Sequence, residues 1–212
     1  MPILDRRVEF DERSRQYPIR TLLQTTPQPR SYTWPCQTFL DQGEEGACVG
    51  FAWCHEAAAV PVVRTVNTLL AYHVYREAKT LDPWPGEGYE GTSVLAGAKA
   101  MQRRGYLQEY RWAFGLDDAL TAISRHGPAV LGLNWYEGMF DTDETGRISP
   151  TGRLSGGHAI LATGVNVAAQ TVTLHNSWGL SWGRAGKAKI SWDDLDRLLH
   201  EDGEVCVPVV RT

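Results

Sequence analysis

Four residues of this chain have the side chains that a thiol nucleophile site requires, and they occur in the order Gln42, Cys48, His158 and Asn176. A cysteine thiolate attacks a carbonyl carbon, and a neighbouring histidine takes the thiol proton and later gives it to the leaving group. An asparagine oxygen can hold that histidine in one tautomer. A glutamine amide can donate a hydrogen bond to the oxyanion that forms during the attack. The four side chains therefore predict acyl-transfer chemistry.

Two features indicate how Cys48 could lose its proton. The residues that follow it are rich in alanine and aromatic side chains, which predicts a helix that begins at the thiol. Unpaired N–H groups and the dipole at a helix start favour a negative charge, and His158 could supply a neighbouring imidazolium. We therefore expect the pKa of Cys48 to lie below its usual value of about 8.5.

The local sequences around these residues resemble those of the papain-like cysteine peptidase family. The three stretches are Gly46-Ala47-Cys48, Gly156-Gly157-His158 and Asn176-Ser177-Trp178-Gly179. Gln42 stands six positions before Cys48, which is the offset of the family's oxyanion-hole glutamine. The resemblance covers roughly residues 34–210, which is most of the chain.

The resemblance implies an α+β protein with a papain-like two-lobe fold: a helical left lobe, a β-barrel-like right lobe, and the active-site cleft between them. It implies catalytic roles for Cys48, His158, Asn176 and Gln42, with no metal and no cofactor. The expected partner is an extended peptide or protein substrate. The resemblance assigns substrate binding to Gly91, Thr92, Gly157 and Trp178, and Trp178 also matches the family tryptophan that shields the hydrogen bond between His158 and Asn176.

The chain departs from the usual family pattern at three points. Glu45 stands where the frame before the nucleophile usually has a first cysteine, and Val49 replaces the usual aromatic residue. The interval of 110 residues between Cys48 and His158 is shorter than the roughly 130–150 that is usual. We expect trimmed loops in the second lobe and different packing behind the nucleophile.

Periodicity and turn residues predict helices in the first half of the chain and strands in the second. The predicted helices are Cys48–Val60, Leu69–Lys79, one that starts at Thr92 or Ser93 and ends at Gly105, Asp117–His126, and a last one through Leu199 that Ser191 caps. The predicted strands are Ala129–Leu133, Ala159–Val165, Thr171–His175, Ala188–Ile190 and Val205–Val210. This order is typical of an α+β protein.

The predicted organisation is an N-terminal extension, residues 1–30, followed by one peptidase domain, residues 31–212. Within the domain, residues 40–113 form the expected helical lobe and residues 114–212 the β-rich lobe. The extension has no sustained periodicity. It is expected to be either a short inhibitory arm or a docking element.

Composition excludes several other classes of protein. The net charge of −4 gives no support for a nucleic-acid or anionic-membrane partner, and no stretch approaches the roughly 20 apolar residues of a membrane span. The charged N-terminus is unlike a signal peptide, so a cytoplasmic protein is expected. Four cysteines without a CxxC pair disfavour structural zinc, and Cys36 and Cys206 are expected to be reduced or paired with each other.

Three functions remain open from the sequence. The first is a cysteine peptidase that cleaves peptide bonds through an acyl-enzyme. The second keeps the same site but hydrolyses isopeptide or amide bonds, or transfers the acyl group to an amine. The third is a peptide-binding module without turnover. Oligomeric state and substrate preference are not indicated.

Overall fold

The computed structural model describes residues 3–9, 11–23, 28–86 and 88–211, with the side chains of Val210 and Arg211 outside that description. Residues 1–2, 10 and 24–27 of the predicted N-terminal extension therefore lie outside the described residues. What is described consists of a helical part and an antiparallel sheet, which confirms the predicted α+β class.

The helices occupy the predicted places. Their bounds are α1 Cys48–Ala58, α2 Thr68–Lys79, α3 Val94–Arg103, α4 Leu116–Arg125 and α5 Trp192–His200. The Ser93 side chain accepts a hydrogen bond from the amide of Ala96 at 2.9 Å, and Ser191 accepts one from Asp194 at 3.1 Å. These bonds satisfy amides that have no partner within the first turn. The predicted cap at Ser191 is confirmed, and of the two alternatives for α3, Thr92 and Ser93, the cap is Ser93.

The strands form one twisted layer. They are β1 Tyr32–Thr33, β2 Leu107–Ala113, β3 Ala129–Tyr136, β4 Leu154–Asn166, β5 Thr171–His175, β6 Lys187–Ser191 and β7 Glu204–Arg211. The order across the sheet is β2-β7-β3-β4-β5-β6, all neighbours are antiparallel, and β1 pairs with β4.

Strand β2 is the main difference from the elements predicted from the sequence. Residues 107–113 were assigned to the helical lobe, but they pair with β7, where Trp112 lies opposite Cys206. The expected lobe boundary after residue 113 therefore falls directly after β2, which pairs with the sheet. This segment forms a strand because its backbone can pair with β7, although the residues before it are mostly helical.

The helix that carries the candidate nucleophile packs directly on the sheet. Residues of α1, α2 and α3 share one apolar core with Val130, Ala159 and Leu161 of β3 and β4. A second core joins the other side of the sheet to α4 and α5. The head of α1 consequently faces β4, the strand that carries His158. Among the described residues, no helix has the length and apolarity that a bilayer crossing would need.

Candidate active site

Cys48 is the first residue of α1, as predicted. Ala47 precedes it as the N-cap and offers no side-chain hydrogen bond, so the start of the helix is open toward the thiol. The Cys48 side chain is buried. The backbones of Ala159 on β4 and Asp5 near the N-terminus lie beside its sulfur. The thiol therefore lies where the helix start, β4 and the N-terminal segment meet.

His158 lies on β4 and is held by Asn176. Its Nε2 atom lies 2.8 Å from Oδ1 of Asn176, and the Ser177 amide donates to the same oxygen, also at 2.8 Å. Since this oxygen can only accept, Nε2 must carry the ring proton. In the neutral ring, Nδ1 is then the basic nitrogen. It is buried and has no hydrogen-bond partner among the described residues, so it is available to a thiol proton.

Aromatic rings enclose the pair formed by His158 and Asn176. The centroid of the Trp178 ring lies 4.7 Å from that of the His158 ring. The Trp135 ring lies at the same centroid distance from His158, in an edge-to-face arrangement. Trp182 contacts Trp178 at 5.4 Å. These rings exclude water from the hydrogen bond, which strengthens it. Trp178 is nearly fully buried against His158, as expected for the shielding tryptophan, and offers little surface to a substrate.

The Gln42 amide is oriented by Ser177. The hydroxyl of Ser177 donates to Oε1 of Gln42 at 2.7 Å, which leaves Nε2 facing the cleft. Nε2 donates to the carbonyl oxygen of Glu45 at 3.0 Å and to that of Ile3 at 3.3 Å. The sequence interpretation gave no role to Ser177. Its place directly after the orienting asparagine was the one available signal.

Residues 3–9 run through the cleft between the helices and the sheet. We call this segment the arm. The Arg6 amide donates to the carbonyl of Gly157 at 2.8 Å, and the Arg7 amide donates to that of Thr92 at 2.9 Å. Arg6 also forms a parallel bridge with Thr92. The arm thus pairs as an extended strand with both walls of the cleft and covers the site.

The predicted cleft residues Gly91, Thr92 and Gly157 all contact this arm. Gly91 has a φ of 80°, a conformation that glycine adopts without strain. A Cβ atom there would overlap the carbonyl oxygen of Asp5, and one on Gly157 would overlap that of Arg6. The absence of side chains at these two positions lets an extended backbone lie between the walls.

Comparison with known proteins places this geometry in context. No protein-family profile matches the chain. Over 84 residues it is 31% identical to cathepsin B-like cysteine proteinase 6 of Caenorhabditis elegans; the match spans 37% of this chain and 22% of that protein. The chain thus matches only about a fifth of the length of this curated relative.

Solved structures match over much more of the chain. Xylellain, a cysteine protease from Xylella fastidiosa, superimposes with a TM-score of 0.71 at 15% identity, covering 99% of this chain and 96% of xylellain. The chain has the papain-like cysteine protease fold. A Carica candamarcensis cysteine protease in complex with E-64 gives a TM-score of 0.61 at 14% identity, covering 87% and 100% of the two chains. For the digestive procathepsin L2 of Tenebrio molitor, the TM-score is 0.58 at 17% identity, with coverages of 88% and 70%.

In this papain-like protein the covered site does not favour the charged pair. Burial raises the pKa of the Cys48 thiol, although hydrogen bonds from the backbone of Ala159 and Asp5 act in the opposite direction. Burial also lowers the pKa of His158 to about 4, against the effect of its hydrogen bond to Asn176. The expected low pKa of Cys48 is therefore wrong for this closed arrangement, because the arm removes the water that both charged forms need.

Three further cysteines are buried in the structure. They are Cys36, Cys54 and Cys206, and like Cys48 they are free thiols. Of the two alternatives for Cys36 and Cys206, the structure therefore supports the reduced one. Among the described residues, no group of three or more His, Cys, Asp or Glu side chains is arranged to hold a metal ion.

Proposed function

We propose that this protein is a cysteine peptidase in which Cys48 is the nucleophile, His158 the base, Asn176 the residue that orients the base, and Gln42 an oxyanion donor. The observation that carries this proposal is the hydrogen bond between His158 Nε2 and Asn176 Oδ1. It fixes the tautomer that leaves a basic nitrogen unoccupied beside the head of α1. A purely structural role for this hydrogen bond would not require Nδ1 of His158 to stay unprotonated.

The reaction follows from these positions. Nδ1 of His158 takes the Cys48 proton, and the thiolate attacks the carbonyl carbon of a peptide bond. The oxyanion that forms accepts hydrogen bonds from the Cys48 amide and from Nε2 of Gln42. The imidazolium then protonates the leaving amine, and an acyl-enzyme remains. Water, activated by the same histidine, releases the acid product and restores the thiol.

The arm supports this assignment because its own backbone occupies the donor. The carbonyl oxygen of Ile3 accepts a hydrogen bond from Nε2 of Gln42, where a substrate carbonyl would be polarised. An extended peptide that pairs with Thr92 and Gly157, as the arm does, would use main-chain hydrogen bonds for affinity. Substrates of this proposed peptidase are therefore extended segments of peptides or proteins.

The same contacts mean that the described conformation is a latent one. Cys48, His158 and Gln42 have no exposed surface while the arm is in place. No substrate can reach the sulfur until residues 3–9 leave the cleft. Of the two roles expected for the N-terminal extension, we therefore propose the inhibitory one. A cytoplasmic location and the peptidase domain of residues 31–212 are retained as parts of the proposal.

Covalent labelling tests the proposed nucleophile. The wild-type protein and an Arg6→Ala variant, which loses a buried arm contact, would be treated with an epoxysuccinyl reagent near neutral pH. Peptide mapping should place one adduct per chain on Cys48, formed faster in the variant. Cys54→Ala is the matched control, since Cys54 is a buried thiol on the same helix and should not change the labelling. Adducts that map mainly to Cys36, Cys54 or Cys206 would refute the assignment.

A further inference from the structure

Two adjacent arginines of the arm are held by opposite walls of the cleft. Consecutive side chains of an extended segment point in opposite directions. Arg6 therefore points into the sheet, where its side chain has no exposed surface. Arg7 points toward the segment between α2 and α3, where it is half-buried. The two walls offer different chemistry to these two cations.

Arg6 fills a pocket in the sheet, which we call the Glu204 pocket and which Gly132, Gly157, Asp202 and Glu204 form. Nη2 of Arg6 donates to the carbonyl oxygen of Asp202 at 2.7 Å, and Nε lies 3.4 Å from Oε1 of Glu204. Gly132 pairs with Glu204 across β3 and β7. A Cβ atom on Gly132 would lie 2.5 Å from Nε of Arg6, so the pocket exists because this position has no side chain.

The Glu204 pocket favours a cationic side chain over an apolar one. The Glu204 side chain is only 15% exposed, and burial raises its pKa to about 7, with the charge of Arg6 acting in the opposite direction. A buried carboxylate without a partner is costly, and a guanidinium stays charged at all relevant pH values. An apolar side chain in the pocket would leave this carboxyl group unpaired and would satisfy neither it nor the Asp202 carbonyl.

The fit of Arg6 is incomplete, which leaves room for a better ligand. Nε and Nη1 of Arg6 are buried without a hydrogen-bond partner among the described residues, and so is Oε1 of Glu204. A buried polar atom without a hydrogen-bond partner destabilises the arrangement that contains it. The arm is therefore held less tightly than the pocket allows, which suits a segment that must be displaced.

Arg7 lies in an aromatic cage formed by Trp84 and Tyr89. Its guanidinium carbon is 5.0 Å from the centroid of the Trp84 ring and 4.2 Å from that of Tyr89. Nε donates to the carbonyl oxygen of Glu90 at 3.1 Å. The faces of aromatic rings attract cations, and more strongly where water is partly excluded. This cage is the second cation site of the cleft.

We propose that the cleft selects polypeptide substrates that contain two adjacent basic residues, with an arginine in the Glu204 pocket and the second cation in the cage of Trp84 and Tyr89. The inference rests on the proposed peptidase function, since it names the substrate class of that site. Asp5 contacts the Cys48 sulfur and Arg6 follows it, so the pocket reads a side chain one position from the residue at the nucleophile. Because both residues of the substrate pair are basic, the pair can occupy the two sites whether the substrate runs parallel or antiparallel to the arm.

Binding to an inactive variant tests the selectivity without relying on turnover. The full-length chain with Arg6→Ala and Cys48→Ala would be titrated against fluorescein-labelled octapeptides that differ only at two central positions. These positions carry Arg-Arg, Arg-norleucine, norleucine-Arg or norleucine-norleucine. The arm still competes in this variant, but it lowers the apparent affinity for every peptide by the same factor, so the ratios stay interpretable.

We expect the Arg-Arg peptide to bind at least about tenfold more tightly than the norleucine pair by fluorescence anisotropy. Adding Glu204→Gln should remove most of that ratio for the Arg-Arg peptide and for one of the two mixed peptides. Glu201→Gln, a nearby glutamate that bonds Tyr136 and Arg197 outside the pocket, is the matched control and should leave the ratio unchanged.

Equal affinity for the Arg-Arg and norleucine peptides, or a ratio that Glu204→Gln and Glu201→Gln leave equally intact, would overturn the inference. Either result would test only the binding preference and not the peptidase proposal, because the Cys48→Ala variant has no nucleophile. Failure of the peptidase proposal would have a different result: a protein that retains Cys48 would bind the peptides selectively but would not cleave them.

Discussion

The carbonyl oxygen of Ile3 accepts a hydrogen bond from Nε2 of Gln42 at 3.3 Å, so the protein's own backbone occupies a donor that the proposed reaction needs. On the other side of Gln42, the Ser177 hydroxyl donates to Oε1 at 2.7 Å. The amide is thus fixed in one orientation before any substrate arrives. Electrostatic stabilisation of this kind depends on donors that need no reorganisation during the reaction.

Removing the Gln42 donor should slow the chemical step. In an Arg6→Ala background, Gln42→Ala is expected to lower kcat by about 10²–10³-fold on a fluorogenic peptide, because one of two oxyanion donors is lost. Ser177→Ala should cause a smaller loss, also in kcat, because the amide is still present but can rotate. If Ser177→Ala changed only KM, the positioning role would be contradicted.

Removing the partner of His158 should release the ring from its tautomer. Asn176→Ala is expected to lower kcat by roughly 10²-fold, since part of the contribution of a positioned general base is lost. Asn166→Ala is the matched control, because Asn166 is exposed at the end of the strand that carries His158 and its side chain accepts a hydrogen bond from the Ala169 amide. Equal rates for the two variants would show that the hydrogen bond of 2.8 Å has no catalytic consequence.

Loosening the arm should expose the thiol. Arg6→Ala leaves Glu204 without its buried partner in the closed form, and loss of one member of a buried pair is strongly unfavourable. We expect alkylation of Cys48 by iodoacetamide at pH 7 to become at least about tenfold faster, a change worth ~1.4 kcal/mol. Arg13→Ala removes an exposed ion pair with Asp11 and should not alter the rate. Identical kinetics for all three proteins would mean that the arm does not control access.

The buried histidines should make the closed protein sensitive to acid. The pKa values of His158 and His175 are lowered to about 4 by burial, and that of His55 is lowered well below its usual value. Between about pH 6.5 and 4, the unfolded chain binds more protons at these sites than the folded one, so the free energy of unfolding falls as pH falls. Glu204, whose pKa is raised to about 7, and Asp5, whose pKa is also raised by burial, act in the opposite direction, but they are two groups against three.

Urea unfolding at pH 7 and pH 5 measures this sensitivity. Replacing His175 by leucine removes one of the groups that must be charged on unfolding in acid. The decline in unfolding free energy should then become shallower by up to ~1.4 kcal/mol per pH unit. His73→Leu is the control, since it makes the same replacement at an exposed histidine on α2. A decline of the same steepness in His175→Leu would contradict this explanation.

Much of the fold was predictable because its signals are local. Ser93 and Ser191 precede apolar periodic runs, and both cap helices as the sequence predicts. The fifth strand, Thr171–His175, has the predicted bounds because β-branched residues alternate there between turns. Strand β2 was missed because its partner β7 lies about a hundred positions away, although Tyr110 and Trp112 have side chains that favour strands.

The state of the site could not be predicted from local patterns. The segment Asp5-Arg6-Arg7 has the composition of a solvated surface, yet Arg6 is buried against Glu204, nearly 200 positions away. The sequence correctly predicted a helix that begins at Cys48, but it could not show that the arm would remove water from the thiol. The pKa of a thiol depends on everything that surrounds it, which only the assembled structure gives.

The most direct test of the central claim is peptide hydrolysis by the Arg6→Ala chain with and without the Cys48 sulfur. A quenched fluorescent peptide with a central Arg-Arg pair would be incubated with Arg6→Ala and with Arg6→Ala, Cys48→Ala, and the products identified by mass spectrometry. We predict cleavage at a single bond beside the pair by the first protein and none above background by the second. Equal cleavage by both, or no cleavage by an Arg6→Ala chain whose Cys48 is fully reactive toward alkylation, would contradict the account.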